Sequence, residues 1–261
     1  MYAQLYFDYN ATTPCAKEVV DAMLPYFHED FGNPSSSHHP YGWLAKSAVE
    51  DATEAIAKNL GVSPRDLVYT SGSTESINMI LKGICKKYRE KGNHIITTKV
   101  EHKAVLDTCA FLEEDGFEIT YLDVGSDGLI RIEDFKSALR PETILVSIMY
   151  TNNETGIIQP LDEIATSTHE NGSLLFSDTT QALGKMPLDS VFGLLDFACF
   201  SGHKVYGPKG IGLTYIKGNA NYDKLPSLIQ GGGQQKGQRG GTINTPLIIG
   251  MSKAIEDAYE N

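Results

Sequence analysis

Apolar residues along this chain change their period repeatedly. Short apolar runs at residues 67–70, 94–98, 118–123, 144–150, 173–177, 196–201 and 211–216 predict strands. Between them, residues 74–90 and 102–115 place apolar side chains at three- and four-residue spacing and predict helices, as do 16–28 and 41–60 nearer the N-terminus. A further helix begins near Pro246. The run 144–150 is almost unbroken, as in a strand buried on both faces. This alternation predicts an α/β fold with a mostly parallel, helix-covered sheet.

Composition narrows the classes of function. The 261 residues are 41% hydrophobic, enough for one large domain. Lys and Arg number 22 against 33 Asp and Glu, a net charge of -11 that argues against nucleic acid as a partner. No apolar stretch reaches the ~20 residues of a membrane span, and the N-terminus lacks a signal-peptide layout, so a cytoplasmic protein without membrane contact is expected. Cys15, Cys85, Cys109 and Cys199 form no C-x-x-C pair, which suggests reduced, buried thiols and no metal site. The glycine-rich segment 231–242 suits mobility or close backbone approach.

Candidate chemistry falls immediately after the predicted strands, where open α/β sheets bind ligands. Asp178 ends one strand, and Lys204 lies 26 residues later in Ser201-Gly-His-Lys-Val-Tyr-Gly-Pro-Lys-Gly. Together they suit pyridoxal phosphate: a lysine to hold the aldehyde and a carboxylate to keep the pyridine nitrogen protonated. Thr70-Ser-Gly-Ser-Thr-Glu-Ser marks a strand-to-helix junction whose free N–H groups, with Ser73 and Thr74, form a phosphate cradle or an ordinary helix cap. Gln181 or Asn153 could donate to the ring oxygen. His102, after another strand, could stack on the ring and shuttle protons, or simply cap its helix. His28, His38, His39, His94 and His169 read as solvated or structural.

Eight motifs carry a resemblance. Phe7-Asp-Tyr-Asn-Ala-Thr-Thr-Pro, Phe31-Gly-Asn-Pro-Ser-Ser, Thr70-Ser-Gly-Ser-Thr-Glu-Ser, Glu101-His-Lys-Ala-Val, Asn152-Asn-Glu-Thr-Gly, Asp178-Thr-Thr-Gln, the Lys204 segment and Arg239-Gly-Gly-Thr occur in this order. The chain resembles cysteine desulfurases of the IscS/NifS type, class V members of the fold-type I pyridoxal phosphate family, which take sulfur from L-cysteine and release L-alanine. The resemblance implies that Lys204 bonds the cofactor, Asp178 pairs its pyridinium nitrogen and His102 stacks on it. Gln181 and Asn153 would contact the ring oxygen or substrate. Ser73, Thr74, Ser201 and His203 would hold the phosphate, with Thr242 from the other subunit of a homodimer, and Asn33 would lie near the substrate carboxylate.

By the same resemblance, residues 1–14 form an N-terminal arm, 15–245 the cofactor-binding large domain, and 246–261 the start of a helix leading to a small C-terminal domain outside this chain. In the family that domain carries the nucleophilic cysteine and an arginine for the substrate carboxylate. None of the four cysteines matches that position. The expected partners are L-cysteine, a second copy, a sulfur acceptor or iron–sulfur scaffold protein, and a separate C-terminal chain. Alternatives are another class V activity, such as a selenocysteine lyase or aminotransferase, and a non-catalytic pyridoxal phosphate-binding dimer completed by another chain.

Overall fold

Seven strands form one sheet in the computed structural model, which describes residues 5–219 and 225–260. They are β1 (Leu67–Thr70), β2 (His94–Thr98), β3 (Glu118–Leu122), β4 (Thr143–Ser147), β5 (Leu174–Asp178), β6 (Phe197–Ser201) and β7 (Gly212–Ile216), in the order β1-β7-β6-β5-β4-β2-β3. β7 runs antiparallel to both β6 and β1, and the remaining pairs are parallel. The expected mostly parallel α/β sheet is present. β3 and β4 flank β2 on opposite sides, so the winding reverses there, and the carboxyl ends near this reversal are where such sheets bind ligands.

Helices α1 (Lys17–Met23), α2 (Pro25–His28), α3 (Pro40–Leu60), α4 (Ser73–Tyr88), α5 (Lys103–Glu114), α6 (Ile132–Ala138), α7 (Leu161–Glu170), α8 (Asp189–Phe192) and α9 (Thr245–Glu260) enclose the sheet. Strand side chains alternate between two cores, as a period of two requires. Ile95, Leu145, Phe176 and Phe197 pack with α4 and α5, while Ile96, Val146, Leu175 and Ala198 pack with residues of α1, α3, α7 and α9. No helix among the described residues is long and apolar enough to cross a membrane.

Local chemistry explains the helix ends. His39 caps α3 by accepting the Gly42 N–H at Nδ1, Pro40 opens the first turn, and Gly61 closes the helix at φ +67°. The single helix expected over 16–28 is two, because Pro25 starts a new helix after Leu24. α9 packs on α1 and α3, burying Ile248, Met251, Ala254 and Ile255 in the sheet's own core, and Ser252 Oγ donates to Ala52 O. Residues 1–4 of the arm and Asn261 lie outside the described residues. His94 is fully buried and structural: its ring nitrogens bond Thr143 Oγ1 and Thr120 Oγ1, and burial pushes its pKa down to about 4.

Candidate active site

A cavity of about 550 Å³ opens beyond the carboxyl ends of β2, β4 and β5. It gathers six of the predicted residues, Ser73, His102, Asn153, Asp178, Gln181 and Lys204. Asp8, Asn10, Ala11, Met149, Thr151, Glu154 and Thr180 complete the wall. Among these, Asp8, Asn10 and Ala11 come from the Phe7–Pro14 motif, to which no site role was assigned, and Met149 from no motif.

Lys204 ends a single 3₁₀ turn, Gly202–Lys204, directly after β6. Its Nζ donates to the carbonyls of Asn10, at 2.7 Å, and Ala11, at 2.8 Å. The two segments are laced further. Thr13 donates to His203 O through both N and Oγ1, His203 Nδ1 bonds Thr12 Oγ1, and Tyr206 N–H donates to Thr13 Oγ1. Partial burial holds the Lys204 ammonium below the usual lysine pKa, against the opposing pull of Asp178 and Asp8. That shift enlarges the fraction of neutral, nucleophilic amine.

Asp178 closes β5 with 6% exposure, and its Oδ1 accepts the Thr180 N–H at 2.9 Å. Gln181 donates from Nε2 to Asn10 O while its Oε1 accepts from Lys185 Nζ, so the lysine settles which end of the amide is which. Asn153 owes its place to Asn152. The Asn152 carboxamide accepts the N–H groups of Glu154 and Thr155 and donates to Val100 O, forming the turn that carries Asn153 to the cavity.

The N-terminus of α4 is not the ordinary Ser/Thr cap. Gly72 is its N-cap, at φ +154°, and no side chain caps the first-turn N–H groups, which leaves them to an anion. Ser201 Oγ lies 3.7 Å from where a Cβ on Gly72 would stand. A Cβ on Gly212 would meet the Gly72 Cα at 2.4 Å, so β7 presses directly on this turn. Gly212→Ala should therefore displace the turn, lowering stability by about 1–3 kcal/mol and weakening phosphate-bearing ligands; urea denaturation and ligand titration measure both.

Thr74 lies in this first turn without lining the cavity. Thr242 sits at the sheet edge with Thr70, Ser71 and Arg239, around a separate depression. The segment 231–242 is anchored there. Gln235 pairs with both N–H and C=O of Tyr69 on β1, and Arg239 makes a two-bond ion pair with Glu75 at 2.8 and 3.2 Å. His102 caps α5, its Nδ1 accepting the Ala104 N–H, and its exposed ring also lines the cavity. Asn33 holds its own turn through Ser35 N and does not line the cavity.

The cysteines are poor nucleophiles. Cys85, Cys109 and Cys199 are buried, and burial raises all three thiols, Cys85 to about 12. Cys15 is only partly buried, but its pKa is raised too.

These groups fit pyridoxal phosphate. An uncapped helix start suits the phosphate, a buried carboxylate the pyridinium, a lowered lysine the aldehyde, and an oriented amide the ring oxygen.

The aminotransferase class-V family pattern matches residues 5–260. The cysteine desulfurase IscS of Rickettsia rickettsii (strain Iowa) is 48% identical over 255 residues, 98% of this chain and 62% of that protein. A solved NifS-like protein superposes with a TM-score of 0.93 at 41% identity, covering 98% of this chain and 70% of the other. SspA, solved in complex with cysteine, gives 0.93 at 43% identity, covering 97% and 72%. The chain thus spans about 62% of the length of curated relatives it matches. It belongs to the aminotransferase class-V family, as a relative of the IscS- and NifS-type cysteine desulfurases.

Proposed function

We propose that this chain binds pyridoxal phosphate at Lys204 and serves a cysteine desulfurase reaction, in which the sulfur of L-cysteine passes to a protein thiol and L-alanine leaves. The observation that carries this reading is the meeting of Lys204, Asp178, His102 and the uncapped start of α4 around one cavity. That SspA was solved with cysteine supports cysteine as the substrate class.

Bound there, pyridoxal phosphate supplies an electron sink for the bonds at the substrate's α-carbon. The first-turn N–H groups of α4, with Ser73, Thr74 and Ser201, hold its phosphate, and Thr242 reaches the phosphate of a second copy in a homodimer. His203, whose Nδ1 bonds Thr12 Oγ1, would hold the phosphate with them. Asp178 accepts a hydrogen bond from the pyridine N–H and keeps that proton in place. Lys204 Nζ would hold the cofactor's aldehyde carbon and, as an amine of lowered pKa, would carry the proton at the substrate's α-carbon. His102 accepts the Ala104 N–H at Nδ1, which leaves Nε2 as its proton-bearing nitrogen beside the ring. Gln181 and Asn153 orient the ring oxygen and substrate through their amides, and Asn33 belongs to the carboxylate end. The sulfur then goes to an acceptor or iron–sulfur scaffold protein in the cytoplasm.

The sulfur itself needs a thiolate within contact distance. Since burial disfavours the thiolate at all four cysteines, these 261 residues with pyridoxal phosphate should bind cysteine yet form little alanine or persulfide. Chromatographic alanine assay and persulfide labelling check this. Turnover matching an intact IscS-type enzyme, and surviving replacement of all four cysteines, would overturn the thiolate argument; failure to take up pyridoxal phosphate would overturn the proposed function.

A further inference from the structure

Glu101 is a carboxyl group with 6% exposure, one residue before His102, and none of the reading above uses it. Its Oε1 accepts two hydrogen bonds, from Met149 N–H at 2.8 Å and Thr98 Oγ1 at 3.1 Å. Oε2 is buried with no hydrogen-bond partner among the described residues. Thr98 ends β2, and Met149 follows β4 and lines the cavity, as His102 does. One side chain therefore joins two walls of the site.

Its charge environment is one-sided. The groups that act on it or feel it are Asp178 on β5, Cys199 on β6 and Cys109 on α5, all of which become negative or stay neutral. No cation contributes to its titration among the described residues. A buried carboxyl without a cation favours its neutral form. Burial, followed by the repulsion of Asp178, pushes Glu101 up to about 8, although the Met149 and Thr98 hydrogen bonds act the other way.

We propose that Glu101 is a positioning residue: as a neutral acid it clamps the Met149 backbone to the His102 turn without placing a second negative charge beside Asp178. A carboxylate here would oppose the ionised Asp178 on which pyridinium pairing depends. The role rests on the pyridoxal phosphate reading, but the neutral state does not.

Two variants separate charge from clamp. Glu101→Gln keeps a neutral acceptor for Met149 N–H, and Glu101→Met fills similar volume without one. In the cofactor-free protein, the unfolded Glu101 ionises near 4.5 while the folded one holds its proton to about 8. Wild-type stability thus falls as pH rises through that window, because the unfolded state binds fewer protons. Cys109 and Cys199, raised by burial, stay protonated throughout it. Relative to Glu101→Gln, the wild-type unfolding constant should rise about tenfold per pH unit between roughly pH 5.5 and 7.5.

Pyridoxal phosphate titration, followed by the position and pH dependence of the bound chromophore's absorbance, reads the clamp. Glu101→Gln should bind within about threefold of wild type with an unchanged spectrum, and Glu101→Met about 10- to 100-fold more weakly, as for a buried N–H left unpaired. Glu101→Ala replaces Glu101→Met if the latter does not fold. A parallel pH slope in wild type and Glu101→Gln, a Gln variant as impaired as Met, or an unimpaired Met variant each overturns the proposal. Wild type that binds no pyridoxal phosphate overturns the functional reading and with it the clamp, while the pH comparison still decides the neutral state.

Discussion

Lys204→Ala should leave no cofactor fixed to the chain by borohydride, and α-proton exchange in a bound amino acid should fall on the order of 10⁴-fold, the upper range for a lost general base. The effect is large because one nitrogen has two duties, holding the aldehyde and carrying the α-proton. A second amine makes the test sharp. Lys185 Nζ bonds Gln181, which lines the same cavity, and its pKa too is lowered, by burial and then by the Lys204 charge. Lys185→Ala should retain borohydride-fixable cofactor. Fixation that survives Lys204→Ala and vanishes with Lys185→Ala would assign the covalent role to the wrong lysine here.

Asp178→Ala should separate binding from chemistry. The phosphate anchors on α4 remain, so cofactor affinity falls modestly, while α-proton exchange falls by about 10²- to 10³-fold, as when a preorganised electrostatic partner is removed. The chromophore should also lose its pyridine-protonated character. Parallel titration of pyridoxal phosphate and exchange measured by proton NMR decide the matter. Equal losses in both would make Asp178 a structural residue, for instance the cap that its Oδ1 provides to Thr180 N–H.

Elements with strong period were legible in the chain, and contacts between distant segments were not. β1 and β2 begin and end where their apolar runs do, Asp178 and Ser201 are the last residues of β5 and β6, and the α4 start follows β1. The run 144–150 reads as one strand, yet β4 ends at Ser147: Ile148 and Tyr150 still donate to Phe176 O and Asp178 O on the β5 side, while on the β2 side Met149 gives its N–H to Glu101. α6 and α7 escaped notice for different reasons. α6 has seven residues with Phe135 as its one buried side chain, and α7 mixes buried Ser167 and Thr168 into its apolar face. In the site, Lys204 and Asp178 were recognisable from residue type and spacing. The Asn10 and Ala11 carbonyls were not, since backbone acceptors leave no mark in composition. Nor was the role of Glu101, whose meaning depends on burial and on a neighbour 77 positions away in Asp178.

The lacing of residues 10–16 to the Lys204 turn sets an order of events during synthesis. Thr13 and His203 are 190 positions apart, so the arm leaves the ribosome long before its hydrogen-bond partners exist. α3 waits likewise for α9, whose Ser252 meets Ala52 across 200 positions. β2 through β5 can pair as they emerge, but the pocket for the lysine amine has no floor until the strands on both sides of residue 204 have formed. Such long closures are made late and slowly. A nascent chain released before residue 206 would therefore carry most of the parallel sheet with an untethered arm, and with Val19 of α1 lacking the α9 side chains that share its core, the form in which this protein is most exposed to proteases and chaperones.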